Sequence, residues 1–247
     1  MSLPKNNKKL SKNLALAMCI STLVSMPYTA AAAVITDPIR EDGNTGLTVI
    51  ITDDVNINTT GSNETAVLSA NSKYGSLLTL ELKGDVRINA GNNYALYSYA
   101  LGSGISSTID INIAEDKVVQ IIGNIKAEND DANLPSGNAI INLNLANPES
   151  YFSGDAEAFT SNVNGGKMSG SSVHIKLSNG ATWYPRSKDS YTLGLFDNTT
   201  SQFAQWNDGI FIKSDGGIID IYHSQPGQAR ANADSADRVF ELKNIDD

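Results

Sequence analysis

Two histidines, His174 and His223, are the residues with the widest chemical repertoire in this chain. Each could serve as a general base or a metal ligand. His174 sits between Val173 and Ile175 in an alternating run, which turns it outward, and His223 follows the apolar run Ile218–Tyr222. A metal centre usually needs more than a pair of ligands. Acid pairs occur at Asp53 and Asp54, Asp130 and Asp131, and Asp246 and Asp247. Carboxylates suit calcium, but none of these has the spacing of a calcium loop, so they read as solvated turns. A nucleophilic serine needs a base and an orienting acid, and no Gly-x-Ser-x-Gly elbow is present. Gly165 to Gly170 is glycine-rich but lacks the Gly-Lys-Ser/Thr ending of a phosphate-binding loop. The arginines Arg40, Arg87, Arg186, Arg230 and Arg238 are dispersed. Trp183, Tyr184, Tyr191, Phe203 and Trp206 could stack on sugars, but the expectation is that they cap or cover a core. The sequence therefore predicts no catalytic, cofactor-binding or metal-ligating residue and no cofactor.

The scaffold that would position these groups begins after residue 33. Lys5, Lys8, Lys9 and Lys12 precede an apolar run from Leu14 to Met26, Pro27 ends it, and Ala30 to Ala33 offer small residues for cleavage. That order is the order of a secretory signal peptide, with cleavage expected after Ala32 or Ala33. The run is shorter than the about 20 residues of a spanning helix. Cys19 is preceded by Met18 rather than by a small residue, so it reads as part of the apolar run and not as a lipid-attachment site. It is the sole cysteine, which leaves the exported part without disulfides.

Setting the four leading lysines aside leaves 14 Lys and Arg against 27 Asp and Glu, a net charge of −13. Such a surface repels phosphate backbones, and nucleic acid is not an expected partner.

Internal repetition organises the remainder. Leu47-Thr48 and Asp54-Val-Asn-Ile-Asn58 recur 31 residues later as Leu78-Thr79 and Asp85-Val-Arg-Ile-Asn89. Polar turns are expected after each, at Thr59–Asn63 and Ala90–Asn93. Ala66–Ala70 matches Ala95–Tyr99 at an offset of 29, and Thr79–Leu82 matches Thr108–Ile111 at the same offset. Ala139–Leu145 follows at 31, Ser172–Leu177 at 33, and Gly217–Ile221 after 45. The runs alternate apolar and polar residues, as strands with one buried face do; Ile109, Ile111 and Ile113 are expected to face one way. A unit of about 30 residues holding two or three short strands fits one coil of a right-handed parallel β-helix. A β-sandwich also alternates but would not produce such regular spacing. Ala146–Ser171, Trp183–Gly209 and Ser224–Asp237 are expected to leave the column as loops, and loops are where binding would be placed. The expected organisation is a signal peptide over 1–33, a linker over 34–46, and a β-helix over 47–247.

Val173-His-Ile-Lys-Leu-Ser-Asn-Gly-Ala-Thr-Trp183, with the later Gly216-Gly-Ile-Ile-Asp-Ile221, resembles the pertactin-like passenger region of autotransporters, most clearly over residues 137–221. The resemblance implies a β-helical passenger on the cell surface, at the outer membrane or secreted, with a C-terminal barrel as translocator. No barrel pattern is present, so the chain is expected to be a passenger fragment, one half of a split gene, or a truncation product. The functional expectation is an adhesive stalk that contacts a host or cell-surface glycan or protein without catalysis. A β-helical polysaccharide lyase or glycoside hydrolase is the alternative.

Overall fold

In the computed structural model of the chain, residues 33–43, 47–59, 66–73, 77–101, 105–129, 138–160, 170–186, 209–229 and 239–242 are described. The signal peptide expected over 1–33, but for Ala33, the acid pairs at 130–131 and 246–247, the glycine-rich segment 165–169 and the aromatics Tyr191, Phe203 and Trp206 lie outside them.

The alternating runs form strands, and the strands stack in parallel as a β-solenoid, with no helix among the described residues. Each coil contributes first to one sheet and then to a second. The chain opens with β1 (Val34–Ile35), β2 (Ile39–Gly43) and β3 (Leu47–Ile51). Above them lie β4 (Asp54–Asn58), β5 (Ala66–Lys73) and β6 (Leu77–Leu82). Next come β7 (Val86–Leu101) with β8 (Ser106–Ile111), and β9 (Val119–Asn129) with β10 (Asn138–Leu145). Then follow β11 (Tyr151–Ser153), β12 (Ala156–Thr160) and β13 (Ser171–Ser178), and after these β14 (Thr182–Tyr184) and β15 (Gly209–Asp215). The last elements are β16 (Gly217–Asp220), the small hairpin β17 (His223–Gln225) and β18 (Gln228–Ala229), and β19 (Val239–Leu242). One sheet runs β3-β6-β8-β10-β13-β15, all parallel. The other follows β1-β4-β7-β9-β11-β14-β16, and β19 closes its end in the antiparallel sense.

Register turns the repeats into columns. Leu80, Ile109, Ile141 and Val173 lie in register and are fully buried, as are Leu82, Ile111, Leu143 and Ile175 beside them. On the opposite sheet the column is Ile57, Ile88, Ile121, Phe152, Trp183 and Ile219. Neither sheet could hide its apolar face alone; the two close on each other and share one core. Some polar side chains inside bond to the backbone of a neighbouring strand. The Ser98 hydroxyl lies 2.8 Å from the carbonyl of Ser107 and donates to it.

Several expectations need correction. The stretch 34–46 is not a bare linker, because β1 pairs with β4 and β2 with β5. Ala90–Asn93 is not a turn between strands: β7 runs through it and bends at Gly91, whose φ is +60°. Within the expected loop 146–171, residues 151–160 do not leave the column, since β11 and β12 lie in register on β9, while 161–169 lie outside the described residues. Ile113 is 51% exposed, because Asn112 adopts φ +54° and ends the alternation after Ile111. Gly217–Asp220 does not continue the column of β13. It stacks on β14, and the strand above β13 is β15, which puts Ile210 on Val173. Part of the expected loop 224–237 is the β17–β18 hairpin.

Candidate functional site

Side chains that point out of the column are stacked as strictly as those that point in. On β7, Leu96, Ser98 and Ala100 are buried, so Tyr97 and Tyr99 face outward. On β9, Ile125 and Ala127 are buried and Lys126 and Glu128 face outward. On β12, Ala156 is buried and Glu157 and Phe159 are exposed. Register aligns these positions as two outward columns, Tyr97–Lys126–Glu157 and Tyr99–Glu128–Phe159. Adjacent strands are about 4.8 Å apart, so the six side chains form one continuous face.

Their interactions lock the face. The Tyr97 hydroxyl donates to Glu128 Oε2 at 2.7 Å, and the Tyr94 hydroxyl donates to Glu157 Oε2 at 3.2 Å. The Lys126 ammonium lies 3.1 Å from Glu128 and 3.4 Å from Glu157. It also sits 5.9 Å from the ring centre of Tyr94 and 5.2 Å from that of Phe159. Both distances are within reach of a cation–π contact. The rings of Tyr94, Tyr97 and Tyr99 follow one another at 6.1 and 5.9 Å, inclined by 27° and 26°. Burial, helped by the hydrogen bond to Glu128, raises the Tyr97 hydroxyl above its ordinary pKa. Burial and the charge of Glu157 do the same to Tyr94. Burial alone would lower Lys126, but its bond to Glu128 and the charge of Glu157 outweigh that, and its pKa is raised. The phenols therefore stay protonated and the lysine charged at neutral pH. Phe159, 44% exposed, leaves apolar ring surface beside these polar groups.

The residues named from sequence fall elsewhere. His174 faces outward as expected, stacked on Phe211 at 4.9 Å with Nε2 3.0 Å from the Ser172 hydroxyl. His223 is on the hairpin, with Nδ1 2.8 Å from Asp220 Oδ2. Asp220 is buried, and its Oδ1 accepts from the backbone N–H groups of Tyr222 and His223. Asp54 is part of a ladder: its Oδ1 accepts from Asp85 N, and Asp85 Oδ1 accepts from Val118 N. A second ladder joins Asn124 Oδ1 to Asp155 N and Asp155 Oδ1 to Arg186 N. These side chains satisfy corner amides at successive coils. Arg87 pairs with Asp85, and Arg186 donates to Asn92 Oδ1 at 3.1 Å. Trp183 does not cover the column. It is a core residue with no exposed surface, stacked on Phe152 at 5.8 Å, with Nε1 donating to the Gly154 carbonyl at 2.9 Å. Tyr184 is buried at its side, in edge contact with Tyr151.

Among the described residues, no three His, Cys, Asp or Glu side chains are grouped so as to hold a metal. Apart from that face, a shallow open depression lies near Asn144, Lys176, Asn179 and Asp215. No family model, curated protein or solved structure matches this chain.

Proposed function

We propose that the chain is an exported contact protein of the autotransporter-passenger type, a rigid stalk that adheres through the outward face of Tyr94, Tyr97, Tyr99, Lys126, Glu128, Glu157 and Phe159. The observation that carries this reading is the built character of the face. Ordinary surface side chains of these types are mobile and separately solvated. Here three coils hold four aromatic rings and three charges in one network of named bonds. Preorganised aromatic and polar groups lower the entropic cost of binding. The resemblance at 137–221 supports delivery to the cell surface, with an outer-membrane barrel as export partner.

Beads coated with the purified chain test it on layers of cells. Adherence above that of albumin-coated beads, reduced several-fold by the double variant Tyr97→Ala/Phe159→Ala, is expected. Adherence no greater than with albumin refutes the proposal. The enzyme reading draws on one observation, the buried Asp220 that fixes His223. It requires sugar release from a polysaccharide that disappears in His223→Ala.

A further inference from the structure

We infer that the ligand of this face is a neutral glycan chain, lying along the tyrosine row of β7. The inference rests on the contact reading above and adds the chemistry of the partner. Three features select that chemistry.

The first is the occupied cation position. Rings flanked by carboxylates commonly recognise ammonium groups. Here Lys126 fills that role from within the chain, bonded to both glutamates and lying over two rings. A cationic ligand would have to displace it.

The second is the charge. Glu128 and Glu157 against Lys126 leave the face net negative, in a chain that is itself acidic. Sulfated, uronic or phosphate polymers would be repelled.

The third is the pattern of polar and apolar groups. A pyranose presents C–H bonds on its ring faces and hydroxyls around its rim. Aromatic side chains such as Phe159 and the three tyrosines accept the former. The glutamate oxygens have lone pairs beyond those used by Tyr94, Tyr97 and Lys126, so they can accept from sugar hydroxyls. Tyr97 and Tyr94 donate their hydroxyl protons to glutamates, and their own oxygens remain acceptors. Because the face is a sheet surface and not a cavity, it suits successive units of an extended chain. The row Tyr94–Tyr97–Tyr99, with rings 6.1 and 5.9 Å apart, gives that chain its direction.

The test uses the full chain and immobilised polysaccharides. Amylose, mannan and arabinogalactan are the neutral probes, heparin and hyaluronate the anionic ones, and chitosan the cationic one. Retention on at least one neutral polysaccharide, competed by its soluble oligosaccharide, is expected. Tyr97→Ala and Phe159→Ala should each weaken that retention about tenfold or more. Both side chains point outward, so circular dichroism of the variants should match the parent. Lys126→Ala should gain retention on chitosan, since it vacates the ring-and-carboxylate position. Absence of retention on all three neutral polysaccharides overturns the inference, as does retention unchanged by both ring variants. Cell adherence that depends on Tyr97 without any neutral-polysaccharide retention would refute the glycan and leave the contact reading standing. Loss of cell adherence altogether would refute that reading instead.

Discussion

Trp183→Ala should be among the most damaging single changes in the solenoid, and its cost can be worked from the contacts of the indole. The side chain has no exposed surface, stacks within 11° of parallel on Phe152, and supplies the donor for the Gly154 carbonyl. Truncating a buried tryptophan to alanine costs about 3–5 kcal/mol through lost transfer energy and the cavity left behind. Loss of the buried hydrogen bond adds about 1 kcal/mol. The sum, about 5 kcal/mol, is a third or more of the total stability of a typical domain. Trp183→Phe separates the two parts. It keeps an aromatic ring against Phe152 and removes only the indole donor and some volume, so about 1–2 kcal/mol is expected. Urea unfolding followed by far-ultraviolet circular dichroism would measure both. Coils interact only with their neighbours, so the alanine variant should also uncouple the column and split or broaden the transition. A loss below about 1 kcal/mol for Trp183→Ala would mean that the indole is not inside the column, and the stacking of β14 on β11 would be wrong.

Gly154→Ala should lower Tm sharply or prevent folding, because an added Cβ would stand 2.0 Å from the Gly123 carbonyl oxygen, a backbone atom that no rotamer change can move. Calorimetry of that variant beside Gly227→Ala, where the Cβ meets nothing but φ is +72°, compares a steric clash with conformational strain. Asp85→Ala should cost about 1–2 kcal/mol in urea unfolding, since it strips the acceptor from Val118 N and the partner from Arg87, whereas Asp85→Asn should lose less than half of that. Burial raises the pKa of Asp110, the Asn142 donor at 2.6 Å lowers it in part, and the charge of Glu81 raises it further. A carboxylate with a raised folded-state pKa binds its proton more tightly when folded, so its contribution to stability is greatest in acid and is lost as pH rises through that pKa. Asp110→Asn should therefore be more stable than the parent at neutral pH and show a smaller decline between pH values of roughly 4 and 7, as read by thermal melts.

The parallel stack was legible because the aliphatic landmarks recur. Leu47 lies on Leu78 and Val55 on Val86, both at the offset of 31 read from the sequence. The exact register was less accessible where landmarks were paired by residue type. Ala66 stacks on Tyr94 and Leu68 on Leu96, an offset of 28, and Ile109 stacks on Ile141 and Ile141 on Val173, each at 32. These pairs follow the apolar alternation and not the first alanine of each run, since a one-residue slip exchanges the inner and outer faces. Strand β15 is faint in the sequence because only Ile210 and Ile212 are apolar on its inner face, while Phe211 stacks outward on His174. The aromatic size of Trp183 says nothing about which side it takes; its side is set by the strand beneath, where Phe152 points inward. The outward pair Tyr97 and Tyr99 is visible as an alternation against Leu96, Ser98 and Ala100. Its union with Lys126, Glu128, Glu157 and Phe159 is not, because those residues meet only once three coils are placed in register.

A parallel ladder has a polarity, and a ladder that ends bare offers its last rung as a template for the next molecule. β19 interrupts that templating on one sheet by pairing with β16 in the opposite direction through Gly217–Leu242 to Asp220–Val239. A newcomer that continued the parallel lattice there would first have to strip this segment away, trading four established rungs for its own. Chain-end polymerisation along that sheet thus meets a barrier that belongs to the monomer, and removing 239–242 should make fibres grow where the intact protein stays dispersed.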